Sequence, residues 1–131
     1  MAQKPIELIL LKDLVSHMGL PVTMVDASGN VVFFSEEAQE LLGIHLDGTR
    51  DIPHDHLVKI YAPLDEDGRP LSSDQLPIRV ALRERRPKHA QLFLHDVDGK
   101  AHRITTTAIP LDGQGGTLLG AMAFFWETDG T

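Results

Sequence analysis

Between Pro21 and Gly43 the chain reads PVTMVDASGNVVFFSEEAQELLG, a run that leaves little choice of local structure. Val22 to Asp26 and Val31 to Ser35 are β-branched and aromatic stretches, and Ala27-Ser28-Gly29-Asn30 between them tolerates the positive φ angles of a hairpin turn. Two antiparallel strands are expected. Ser35 then offers its hydroxyl to the free amides of a new helix, with Glu36 and Glu37 at its positive end and Leu41 and Leu42 on its inner face. Gly43 supplies the stop.

The whole chain has 131 residues, enough for one domain that buries roughly two-thirds of its unfolded surface. Its apolar fraction of 42% and charged fraction of 24% argue against disorder. Leu8 to Leu11 is too short an apolar run for a signal peptide and is flanked by Glu7, Lys12 and Asp13, so a cytoplasmic location without membrane contact is expected. The chain has no cysteine, which removes disulfides, thiolate zinc sites, a cysteine nucleophile and any flavin or chromophore attached through sulfur. A net charge of −7 disfavours direct nucleic-acid binding. Arg79, Arg83, Arg85, Arg86 and Lys88 form one basic patch, read as a solvated helix face that complements a helix C-terminus.

Ile6 to Met18 reads as an N-terminal helix, because Leu8, Leu11, Val15 and Met18 recur at three- and four-residue spacing and Leu10 and Leu14 widen the stripe. That much apolar surface must cover a sheet or meet a second copy. Residues 1–20 are therefore assigned as a cap or dimer helix, 21–127 as the domain proper and 128–131 as a frayed tail. Ile44 to Leu71 is rich in breakers (Asp47-Gly48, Ile52-Pro53, Ala62-Pro63, Asp67-Gly68), with at most short helical turns or a brief strand near Leu57 to Tyr61. Ser72-Ser73-Asp74 caps a second middle helix whose apolar face, Leu76 to Leu82, lasts until Pro87, with Pro77 in the first turn. Ala90 to Asp96, Ala101 to Pro110 and Thr117 to Glu127 then read as three meander strands. Leu118 to Trp126 is apolar at both alternating sets of positions, which places it centrally and covered on both sides. The fold class is α+β: a five-stranded antiparallel sheet with the middle helices on one face and the N-terminal helix capping the other or dimerising.

In this order the pieces resemble a PAS domain. The resemblance rests on Pro21 to Asp26 with Gly29, on Val31 to Gly43 ending Leu-Leu-Gly, on Asp67-Gly68-Arg69-Pro70-Leu71 followed by Leu76-Pro77 and Ala81-Leu82-Arg83, and on Asp98-Gly99, Ala108-Ile109-Pro110-Leu111, Gly116 and Leu119-Gly120. Two places depart from the family: Ser35 stands where Asn is frequent, and Trp126-Glu127-Thr128 replaces the usual Asp-Ile-Thr junction. What the resemblance implies is a non-catalytic, bacterial-type sensory or regulatory module in signal transduction or transcription regulation. It would act through homodimerisation, a signalling partner, and a small ligand in its core. If the chain is the whole protein, output passes through a partner or a change of oligomer. The cysteine-dependent flavin and chromophore subtypes are excluded.

No catalytic, cofactor-binding or metal residue is assigned. Leu8, Leu11, Val15 and Met18 are the expected dimer interface, and Met24, Phe33, Phe34, Phe93 and Phe124 the expected lining of any pocket, because strand alternation sends half of such residues inward. His54-Asp55-His56, with His45, is the grouping that most suggests a metal; on an extended segment the two imidazoles would point the same way, but an exposed loop is the plainer reading. Haem has no axial histidine on Ser72 to Arg86 and would need His54 or His56 to fold inward. A haem- or metal-based sensor using His54 or His56 and a small α+β enzyme of unassigned reaction are the alternatives. Asp65-Glu66-Asp67 and Asp112 to Gly116 read as turns.

Overall fold

A computed structural model describes residues 6–45 and 52–128. Five long strands form one antiparallel sheet: β1 (Val22–Asp26), β2 (Asn30–Phe34), β4 (Lys88–His95), β5 (Ala101–Asp112) and β6 (Leu118–Glu127). A two-residue strand, β3 (Ile52–Pro53), adds to the β2 edge, giving the order β3-β2-β1-β6-β5-β4. The doubly apolar strand β6 is central, between β1 and β5.

Helix α2 (Glu36–Leu42) follows β2 as the sequence requires. Buried Ser35 caps it, its Oγ accepting from Ala38 N at 3.2 Å and from Val22 N at 2.9 Å while donating to Leu20 O at 2.9 Å. One hydroxyl thus joins the start of α2 to the start of β1. At the other end Gly43 takes the left-handed conformation, φ 69°, and Val97 N donates to Leu42 O at 3.0 Å. Three turns repeat one device: Asp26, Asp65 and Asp96 each accept, through Oδ1, from the backbone amides two and four residues on. The glycine at the fourth position of each has φ 86°, 83° and 83°.

Helices α3 (His54–Tyr61) and α4 (Pro77–Glu84) pack on one face of the sheet, around a core that includes Val25, Phe34, Leu42, Leu57, Ile78, Leu92, Ile104 and Phe125. A short 3₁₀ turn, Ser73–Gln75, precedes α4 and is closed by a capping box between Ser72 and Gln75. The opposite face carries α1 (Ile6–Ser16), which ends two residues earlier than the periodicity suggests. Leu8 and Val15 close on Val22, Met24, Leu111, Leu119 and Met122, with Leu11, Phe33 and Phe124 at the margin. Each of the two fully buried α1 side chains contributes about 1.5–3 kcal/mol of transfer free energy.

The two cores are separated by strand parity. Thr23, Ala123 and Phe125 face the middle helices, while Met24, Met122 and Phe124 face α1. Gly120 permits the close approach of β6 to β1: a Cβ there would collide with the carbonyl oxygen of Val25. Of the sequence expectations, Asp47-Gly48 and residues 129–131 lie outside the described residues. Thr128 is tied down, its amide donating to Arg103 O at 2.7 Å and its hydroxyl 2.6 Å from that of Thr105.

Candidate functional site

The segment expected to be an exposed loop is helical and turned inward. Asn30 and Val31 pair with Pro53 and Ile52, and the amide of His54 donates to Gly29 O at 3.2 Å, so the first hairpin fixes where α3 begins. His54, Leu57, Val58 and Tyr61 then fall at helical i, i+3, i+4 and i+7 positions, and all four are buried. Successive residues turn by about 100° on a helix, so His54 and His56 diverge instead of pointing the same way. His54 is 2% exposed, whereas His56 and His45 face solvent. Among the described residues no three His, Cys, Asp or Glu side chains are grouped to hold a metal ion.

His54 and Tyr61 line a cavity of about 50 Å³ between the sheet and the two middle helices. Thr23, Leu92, Leu94, Ile104, Thr106, Ala123 and Phe125 form the sheet side, and Leu76, Pro77 and Ile78 the α4 side. Tyr61 Oη is 2.9 Å from His54 Nε2. His54 Nδ1 is buried and has no hydrogen-bond partner among the described residues. Burial, reinforced by the nearby Arg79 charge, lowers the His54 pKa to about 4, so the ring is neutral at pH 7. Burial pushes the Tyr61 phenol up, which keeps it protonated. Arg79 is itself engaged at the rim, 3.4 Å from Asp55 and 3.7 Å from Asp74. Thr106 Oγ1 donates to Phe124 O at 2.9 Å.

The residues expected to line a pocket are not among those that line this cavity. Met24, Phe33 and Phe124 have the other strand parity and pack towards α1. Phe34 is buried in the core on the cavity side but does not reach the cavity, and half-buried Phe93 alternates with Leu92 and Leu94, which do. Of the expected interface, Leu8 and Val15 are spent on the sheet, at 1% and 2% exposure, Leu11 is half-buried, and Met18 is open to solvent. The free apolar face of α1 is instead Ile6, Ile9, Leu10 and Leu14.

A second histidine is held in the opposite way. His102 on β5 is buried between carboxylates, its Nε2 2.9 Å from Asp96 Oδ2 and its Nδ1 2.8 Å from Glu127 Oε2. The hydrogen bond to Asp96, followed by that to Glu127, raises its pKa above the usual histidine value despite partial burial.

The five-stranded antiparallel sheet that the sequence motifs anticipate is present, in the order β2-β1-β6-β5-β4, with α2, α3 and α4 between β2 and β4 in the chain. The family model for the PAS fold matches residues 10–126. The chain belongs to the PAS family. The match takes in the second half of α1 as well as the sheet. Comparison with curated proteins gives no match. Among solved structures, this PAS domain is similar to the PAS domain of Bordetella pertussis BvgS, at 14% identity over 93% of this chain and 85% of that one, TM-score 0.64. It is also similar to the PAS domain of the fruit-fly ELK potassium channel, at 15% identity over 92% and 95% of the two chains, TM-score 0.67. The light-state dimer of the fungal blue-light photoreceptor Vivid aligns at 14% identity over 97% of both chains, TM-score 0.61. At these identities the likeness is one of fold. PAS domains are a family of signalling sensory modules, and no described helix of this one is long and apolar enough to cross a membrane.

Proposed function

We propose that this PAS domain is a non-catalytic regulatory module that works by self-association through α1, and that its cavity receives a small ligand. The observation that carries the association is a helix apolar on two sides. Leu8 and Val15 are consumed by the sheet, yet Ile6, Leu10 and Leu14 recur every four residues along the helix and remain 68%, 62% and 59% exposed, with Met18, 46% exposed, just past its end. A ridge of this kind in water favours a second apolar surface, and a symmetric pair of such helices supplies one. A similar fold is known as a dimer in the case of Vivid. The interface differs from the one read in the sequence: Ile6, Leu10 and Leu14 join Met18, while Leu8 and Val15 belong to the monomer's core.

Light scattering across a dilution series tests this, with Leu10→Glu and Leu14→Glu as interface variants. A dimer that dissociates in either variant is expected; a wild-type monomer at high concentration would sink the proposal. Haem is a poorer reading of the cavity, since about 50 Å³ is far below the volume of a haem even though His54 does face inward.

A further inference from the structure

We infer that the cavity takes a small uncharged compound bearing a carbonyl or comparable hydrogen-bond acceptor, which receives its hydrogen bond from Nδ1 of His54. This rests on reading the cavity as a ligand site and names the chemistry that the site selects.

Proton counting sets the polarity. Tyr61 has one hydroxyl proton, and His54 Nε2, at 2.9 Å, is its partner. If Tyr61 donates to Nε2, the neutral ring carries its proton on Nδ1, and only that N–H is left unmet. If Nε2–H donates to Tyr61 instead, a phenol proton and the Nδ1 lone pair are both left unmet. The first arrangement leaves fewer buried polar groups unpaired, and each one costs about 1–3 kcal/mol. Nδ1 is therefore a donor, and with no acceptor for it among the described residues, the unmet requirement is for an acceptor.

The surroundings set charge and size. A carboxylate would enter a lining of Leu76, Ile78, Leu92, Leu94, Ile104 and Phe125 beside a ring that resists protonation, and the nearby Arg79 already faces Asp55 and Asp74. A cation would meet Nδ1–H, and no carboxylate in the lining would balance its charge. A cavity of about 50 Å³ admits a compound on the order of four heavy atoms, or a few waters.

Acetone, isobutene and acetate separate the possibilities, because they are alike in shape and differ in acceptor and charge. Each is titrated into the protein while the His54 ring nitrogens are followed by long-range proton-nitrogen correlation. Acetone is expected to move Nδ1 saturably and to bind at least about tenfold more tightly than isobutene or acetate. In His54→Phe the preference for acetone over isobutene should vanish. Equal binding of acetone and isobutene by the wild type overturns the hydrogen-bond assignment and leaves the cavity as an apolar ligand site. Tighter binding of acetate overturns the requirement for a neutral compound. No saturable shift with any probe means a cavity filled by water alone, and the ligand reading goes with it. The wild-type comparison decides among these even if the variant does not fold.

Discussion

His102 Nδ1 stands 2.8 Å from Glu127 Oε2, so the start of β5 holds the last residue of β6. Its Nε2 meets Asp96 at 2.9 Å, and since ionised carboxylates only accept, both contacts are satisfied together only by the doubly protonated ring. A histidine whose folded pKa is raised gives stability that is fully present below its unfolded value of about 6.5 and is lost as pH rises through the folded value. Urea unfolding at stepped pH should therefore show this contribution declining on the alkaline side of about 6.5. In His102→Gln that alkaline decline should be absent; an unchanged profile would mean that the bridge carries no linkage.

His54 has the reverse sign. Its ring titrates at about 4 when folded and at the ordinary 6.5 when unfolded, so the unfolded state binds the extra proton between these values and stability falls as pH drops through the window. The full effect is on the order of 3 kcal/mol. His54→Phe should flatten the profile between pH 6.5 and 4, and a variant with the wild-type acid slope would show that other groups dominate it.

Ser35 makes three hydrogen bonds from one buried oxygen, to Val22 N, Ala38 N and Leu20 O. Ser35→Ala removes an N-cap and leaves two backbone amides and a carbonyl short of a partner, at a cost of about 1–3 kcal/mol. Calorimetry should show a drop in Tm of several degrees. Ser35→Asn, which restores the residue frequent in the family, should recover part of it if the longer side chain reaches the same amides.

Gly120→Ala places a methyl group against the backbone of Val25, where no side chain can rotate away. Overpacking of this kind costs about 1–3 kcal/mol or more, and the loss should appear as a lower urea midpoint. Gly115→Ala, whose Cβ would meet nothing within 4 Å, bears only the penalty of its φ of 69°. The two should separate clearly; equal losses would mean that the β1–β6 approach is not the constraint.

The opening hairpin, the Ser35 cap, the Gly43 stop and the central place of β6 were all legible in the sequence because each is decided by neighbours in the chain. The three turns share a sequence mark as well, the Asp-x-x-Gly spacing that begins at Asp26, Asp65 and Asp96. The site was not legible. His54, Leu57, Val58 and Tyr61 form a helical stripe, but it is only eight residues long, follows a proline and lies in breaker-rich sequence, so periodicity alone gave no helix. Which parity of β6 faces the middle helices was equally hidden, since both sets are apolar. The choice is made by partners distant in sequence, Thr106 opposite Phe125 and Thr107 opposite Phe124. For α1, both sides are apolar, and only the packed structure shows that Leu8 and Val15 are the buried pair.

Because β6 alternates between two apolar cores, it acts as a partition with separately written sides. Ala123 and Phe125 can change the shape of the cavity without altering what Met122 and Phe124 offer to α1, and the reverse holds as well. The lining of the cavity and the seat of α1 are thus written on alternate positions of one stretch of ten residues, joined only by the backbone they share.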